Sequence, residues 1–211
     1  MKKNHYTNTR RKFALIAFLF TFIQSLSLAQ TTKDIDYIVL ISGDTLRGKV
    51  THVDEKRFSP RYLKKIRYTD TNQKSRKINR KDILAFRVDG LIYESFWLSQ
   101  SSNKFTLDNP IYTINQKSGK QHFLRLVKGG NLSHYLLEWW EQGESTPMSM
   151  DLLKKEQDQF LIRATQGVFG LKRKTLSRYF SECVELSSGI EQRYFNTIQE
   201  IIEQYNTRCF Q

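Results

Sequence analysis

Hydrophobic and polar positions alternate every second residue through much of Asp36–Ala164, and from Leu171 the apolar positions recur every third or fourth residue. The first period belongs to half-buried strands and the second to amphipathic helices. The clearest stretch is Asp36–Val53. There an apolar run, Tyr37–Ile41, meets Ser42-Gly43-Asp44. An alternating run follows, with Leu46, Gly48 and Val50 on one face and Arg47, Lys49 and Thr51 on the other. Gly tolerates positive φ and Asp caps its own turn, so this pattern predicts a β-hairpin.

Between Pro60 and Pro110 three more strands are predicted. They are Leu63–Tyr68, a strand from Ile78 or Ile83 to Val88, and Leu91–Leu98 across the hairpin signal Asp89-Gly90. Short strands with short turns suit a small closed barrel of the SH3-like or Sm-like kind. Beyond the polar linker Ser99–Asn109, the runs Ile111–Ile114, His122–Val127, Leu132–Trp140 and Gln159–Ala164 predict an antiparallel meander, either a second sheet or an extension of the first. The polar stretch Met148–Gln157 reads as partly helical. Trp139 and Trp140 must face opposite sides of their strand, one toward the core and one at the rim.

In the C-terminal part, Leu176, Tyr179, Phe180 and Cys183 form one stripe, Ser187-Ser188-Gly189 breaks or caps it, and Tyr194, Ile198, Ile201 and Tyr205 form a second. Their opposite face carries Glu191, Gln192, Glu200 and Glu203, which argues against a membrane-surface helix, for which a basic face is usual. The predicted class is therefore α+β: a small antiparallel barrel, a meander, and two helices packed on one sheet face.

The N-terminus modifies this picture. Lys2, Lys3, Arg10, Arg11 and Lys12 precede the apolar run Phe13–Ile23, and Ser27 and Ala29 suit the −3 and −1 positions of a cleavage site. This reads as a secretory leader over residues 1–29. The competing reading, a membrane anchor, is opposed by Gln24, Ser25 and Ser27, because a span needs about 20 mostly apolar residues. Arg10-Arg11 also fits a twin-arginine signal, or simply an ordinary basic leader. The expected organisation is a leader (1–29), a small barrel (30–100), and a meander with a helical hairpin (101–211), the last either separate or continuous with the barrel.

The formal net charge is +13, and losing the five basic leader residues leaves +8. A basic exported chain attracts phospholipid headgroups, acidic glycans or other polyanions, and export argues against nucleic acid. Arg61, Lys64, Lys65, Arg67, Lys74, Arg76, Lys77, Arg80 and Lys81 surround the third and fourth strands and form the candidate polyanion-binding set. Alternation would put Lys65 and Arg67 on one face, away from Lys64 and Ile66. The alternative account is an ordinary solvated strand-and-turn surface.

Catalytic signatures are missing. No HExxH, CxxC, GxSxG, P-loop or Rossmann glycine pattern is present, and His52, His122 and His134 sit singly in strands or beside turns, so neither a metal nor a cofactor is called for. Asn131-Leu132-Ser133 is a glycosylation sequon with meaning only in a host that modifies exported chains. Should an enzyme be hidden here, a cleft between barrel and meander would hold it, with His122, Asp108 and Glu138 the first residues to inspect.

Cys183 and Cys209 invite a disulfide in an oxidising compartment. A simple hairpin turning at Ser187–Gly189 would set them about 30 Å apart at about 1.5 Å per residue. A bond therefore requires the first helix to end before Cys183 and the chain to double back; otherwise the thiols stay apart.

The leader ending Ser-Leu-Ala-Gln, the pattern Asp-x-Ile-Val-Leu-x-x-Gly-Asp-Thr-x-x-Gly-Lys-Val from Asp36, and Lys81-Asp82-Ile83 before the Asp-Gly hairpin together resemble exported proteins of Bacteroidota. Tyr179-Phe180-Ser181-Glu182-Cys183 and the late Tyr205-Asn206 add to the likeness. The resemblance implies periplasmic or envelope placement and carries no activity or site residue. The Gly-Asp hairpin is also similar to the first motif of Sm-like barrels. The functional expectation is a non-catalytic structural or interaction role in the envelope, with an envelope protein or an anionic surface as partner.

Overall fold

The computed structural model describes residues 35–52, 64–100, 111–139 and 146–209. Residues 1–29, read above as a leader, and Pro60, Arg61, Asp108, Pro110 and Trp140 lie outside the described residues. The opening hairpin pairs β1 (Tyr37–Leu40) with β2 (Thr45–Arg47), Tyr37 opposite Arg47. After Gly48 the same chain continues as β3 (Lys49–His52), which leaves the first sheet and joins β4 (Lys65–Thr69) and β5 (Ser75–Asn79) in a second. The residue at this bend has to be glycine. A Cβ there would stand 2.4 Å from the Thr69 carbonyl oxygen. A 3-10 turn (Arg80–Asp82) then returns the chain to β6 (Ile83–Val88), which pairs with β1. Ile38, Val50, Ile66, Ile78, Ile83 and Phe86 from both sheets meet in one buried core.

Asp89 and Gly90 both have positive φ, as a type I′ turn demands, and β7 (Leu91–Gln100) follows. This ten-residue strand joins the two halves. Along one edge it pairs first with β6 and later with β8 (Ile111–Ile114); along the other it pairs with β9 (Lys120–Lys128) over Ile92–Leu98. β10 (Leu132–Trp139), β11 (Met148–Lys155) and β12 (Phe160–Arg163) continue from β9, and β12 pairs with β8. The order β7-β8-β12-β11-β10-β9 returns to β7, so six antiparallel strands close a barrel. Leu98, Leu124, Tyr135, Leu152 and Leu161 fill its interior.

The ring that closes by hydrogen bonds begins at Leu91 and takes in the later strands. One expectation changes here. Met148–Gln157, read as partly helical, is mostly strand. Leu152 faces the ring interior and Leu153 the helices, so burial on both faces erases the two-residue period.

Three helices replace the expected two: α1 (Arg173–Tyr179), α2 (Val184–Glu191) and α3 (Ile198–Arg208). Ser187-Ser188-Gly189 lies inside α2, where Gly189 lets the Phe195 ring approach to a point a Cβ would occupy. Tyr194 is exposed and falls outside the buried stripe, which starts at Ile198 behind a Thr197–Glu200 capping box. Leu176, Phe180, Leu186, Ile190, Ile201 and Tyr205 pack onto Leu132, Leu153 and Ile162 of the barrel wall.

Because α1 ends at Tyr179, the chain does double back. Cys183 caps the start of α2 and Cys209 the end of α3, their Cα atoms are 5.6 Å apart, and they are disulfide-bonded. Asn206 fastens α3 to the barrel: its amide accepts from Leu132 N–H at 2.7 Å and donates to Leu132 C=O at 3.1 Å. Lys155, 8 % exposed, ends β11 beneath the rings of Tyr179, Phe180 and Tyr205 and donates to the Tyr179 carbonyl at 2.6 Å. Among the described residues no helix is long and apolar enough to cross a membrane.

Gly48→Ala is expected to cost about 1–3 kcal/mol, the usual price of overpacking, seen as a lower denaturant midpoint. Replacing both Cys183 and Cys209 by Ser should cost roughly 3.5 kcal/mol on the chain-entropy account. Thermal melts with and without reductant check this, and reductant should leave the double variant unchanged.

Candidate functional site

The sheet β3-β4-β5 has a buried face and an outer face. Ile66, Tyr68 and Ile78 point inward, and Lys65, Arg67, Thr69, Ser75, Lys77 and Asn79 point outward by alternation. Register completes the outer face. Arg67 stands between Thr51 of β3 and Lys77 of β5, and Lys49 lies opposite Thr69. Lys49, Lys65, Arg67 and Lys77 therefore share one face with only Thr, Ser and Asn between them. Among the described residues none of the four has a carboxylate partner. Directly opposed like charges such as Arg67 and Lys77 destabilise a sheet.

The other sequence-predicted cations are distributed differently. Lys64, Lys74 and Lys81 are exposed around the margins of the sheet. Arg76 lies on the inward side and stacks over the Tyr68 ring, 5.5 Å from its centroid. Arg80 belongs to the scaffold: it donates to the Gln121 carbonyl at 2.8 Å and sits 5.1 Å above the Phe123 ring, while Gln121 Nε2 returns a bond to Arg80 C=O. Burial lowers the Arg80 pKa from its ordinary value. Lys49 was missed in the sequence. Its alternation with Val50 was visible there, but the pairing of β3 with β4 rather than with β1 was not.

Of the residues named for a hidden enzyme, the two that are described, His122 and Glu138, do not converge. His122 stands opposite Phe96 and faces the barrel interior. Glu138 faces outward, where Arg125 Nη2 donates to it at 2.9 Å and the Tyr93 hydroxyl at 3.4 Å. Asp108 is outside the described residues. Among the described residues no group of three or more His, Cys, Asp or Glu side chains is placed to hold a metal ion. A further set of exposed cations, Lys174, Arg178 and Arg193, rims a cleft of about 830 Å³ beside α1, while Arg173 in its wall is committed to Ile190 C=O, Phe195 C=O and Asn196 Oδ1.

One polar network is unlike the rest. His134, 3 % exposed on β10, binds Asp151 Oδ1 through Nε2 at 2.9 Å, and Thr165 Oγ1 donates to Asp151 Oδ2 at 2.8 Å. Burial opposes the ionised form of Asp151, but the hydrogen bonds from His134 and Thr165 outweigh it and hold the carboxyl below its ordinary value. An ionised Asp151 fixes the His134 proton on Nε2. Nδ1 is buried without a hydrogen-bond partner, so the ring does not offer a base to solvent. The network ties β10, β11 and the segment after β12 together.

A carboxyl whose pKa is depressed by folding stabilises the fold fully above the ordinary value of about 3.9, and that contribution is lost as pH falls through the lower folded value. Asp151→Asn should therefore reduce stability at neutral pH by about 1–3 kcal/mol and flatten the acid limb of the stability curve. Denaturant midpoints taken across the acid range for both proteins check this.

Against family models, curated proteins and solved structures, the chain matches none.

Proposed function

We propose that this chain is a non-catalytic exported protein of the cell envelope that docks on an anionic lipid surface through the outer face of β3-β4-β5. The observation that carries this reading is the group Lys49, Lys65, Arg67 and Lys77 on one face, without a carboxylate partner among the described residues and with Arg67 and Lys77 directly opposed. Neighbouring strands lie about 4.8 Å apart, so the four charges fall within reach of several headgroups at once. The excess positive charge of the chain favours the same partners. The leader-like N-terminus and the resemblance to exported Bacteroidota proteins place such a surface within reach, and the empty motif inventory supports a role in binding.

In this reading residues 36–88 form a small barrel of the SH3 or Sm type. Supporting it are the strand that bends at Gly48 to serve two sheets, the order β6-β1-β2 and β3-β4-β5, and the 3-10 turn before β6. Acidic glycans are the second partner class the same face suits.

The purified mature chain is expected to co-sediment with vesicles containing anionic phospholipid at low salt and to be released at about 1 M salt, where screening acts over roughly 3 Å. Arg67→Glu with Lys77→Glu should abolish retention while leaving the melting temperature nearly unchanged, since both side chains reach solvent. Equal retention at both salt concentrations, or none at low salt, would overturn the proposal. Fractionation of the native host should recover the chain from the envelope or periplasm, and recovery from cytosol alone would remove its premise.

A further inference from the structure

The six-stranded barrel is packed with leucines through its middle but opens at one end into a cavity of about 380 Å³. Its wall is apolar, made by Leu98, Leu137, Met150 and the ring of Trp139. That volume lies within the range of small-molecule pockets. Among the described residues the charged groups at the opening are basic. Lys120 is exposed at the start of β9, opposite Leu98, and His122 lies next to it on the same inward face. Arg163 ends β12 opposite Leu152, a ring-core residue, which puts it on the inward side of the wall, and it is close enough to Tyr112 to act on its phenol electrostatically. β9 and β12 are separated by β10 and β11, so Lys120 lines one side of the opening and Arg163 stands on the other, outside the lining itself but near its Tyr112.

Two further features point to an anion. Arg163 Nε is buried without a hydrogen-bond partner. The Tyr112 hydroxyl donates to the Met150 thioether at 3.3 Å, and a thioether is a weak acceptor that a carboxylate would readily displace. Burial raises the Tyr112 pKa, so the hydroxyl keeps its proton and remains a donor. Among the described residues the inward-facing carboxylate of the ring strands is Glu94, which lies further in, on β7 opposite Leu124, and accepts from the Tyr135 hydroxyl at 2.8 Å. It does not neutralise the opening.

We propose that the open end of the barrel binds a small amphipathic carboxylate, its head group held by Lys120, Arg163 and the Tyr112 hydroxyl and its apolar part against Leu98, Leu137 and Met150. This site is distinct from the lipid-docking face, and neither proposal depends on the other. The cation pair excludes cationic ligands, and the apolar wall favours a tail over a bare anion such as acetate.

Isothermal titration of the mature chain with octanoate, octanol and acetate tests it. Octanoate is expected to bind saturably at one site, and octanol and acetate at least about tenfold more weakly. Lys120→Met and Arg163→Met should each weaken octanoate about tenfold or more and leave octanol unchanged. Tyr112→Phe should weaken octanoate by a smaller factor. Leu137→Trp, which fills the cavity, should abolish binding of both while a cooperative melt shows the fold intact. Should Arg163→Met fail to fold, Lys120→Met alone decides the matter, because Lys120 is exposed. Arg67→Glu with Lys77→Glu should bind octanoate as the parent does, separating this site from the docking face. Equal affinity for octanoate and octanol, an unchanged affinity in Lys120→Met, or no saturable octanoate binding at millimolar concentration would overturn the proposal.

Discussion

The pairing of β7 with β9 is the constraint on which the rest of the structure depends. Seven consecutive register pairs, from Ile92–Leu126 to Leu98–Lys120, close the ring and leave the strand faces with opposite duties. On β7, Tyr93 turns toward the first core and Leu98 toward the barrel interior; on β9, Phe123 and Leu124 divide in the same way. A slip of one residue would exchange these faces along both strands and expose two cores at once. Closure also removes edges from strands that would otherwise invite pairing with other chains.

On the outside of that ring the helices are held by interactions of several physical kinds. Apolar packing supplies the bulk of the driving force, yet the direction of α3 is set by polar contacts, with Asn206 completing the hydrogen bonds of Leu132 in the manner of a short extra strand. Lys155 is a costly residue to bury. Its ammonium is compensated by the Tyr179 carbonyl, by Glu182 and by the three ring faces around it. Burial raises the Tyr179 pKa, and its hydroxyl, protonated and donating to Asp158, also accepts from Lys155 N–H. The same few residues thus join β11, α1 and α3.

Charge is distributed by the same logic. Where a cation is needed for architecture it has partners, as Arg80 has Gln121 and Phe123 and Arg125 has Glu138. Among the described residues, cations without architectural partners lie on the outer face of β3-β4-β5, at the open end of the barrel and around the cleft beside α1. Sequence proximity alone merged these groups, since Arg76, Lys77 and Arg80 are near neighbours in the chain but occupy an inward stack, an outward face and a half-buried anchor. Lys120 carried no sequence signal because its relevance depends on Arg163, far along the chain and opposite it across the ring.

By itself the sequence determined what local physics controls. The Gly43-Asp44 and Asp89-Gly90 turns, the strands Ile111–Ile114 and Leu132–Trp139, and the outward placement of Lys65 and Arg67 follow from positive-φ residues and from alternation, both readable over a few positions. Whether Cys183 could meet Cys209 was reduced to two alternatives by helix geometry, and the end of α1 at Tyr179 selected one. Tertiary structure alone decided that the later strands close into the ring, that Met148–Lys155 is a strand, and that Ser187-Ser188-Gly189 continues a helix. The reason is common to all three. A strand buried on both faces loses its period, a glycine packed against an aromatic ring looks like a breaker, and a pairing between strands distant in the chain leaves no mark on the residues between them.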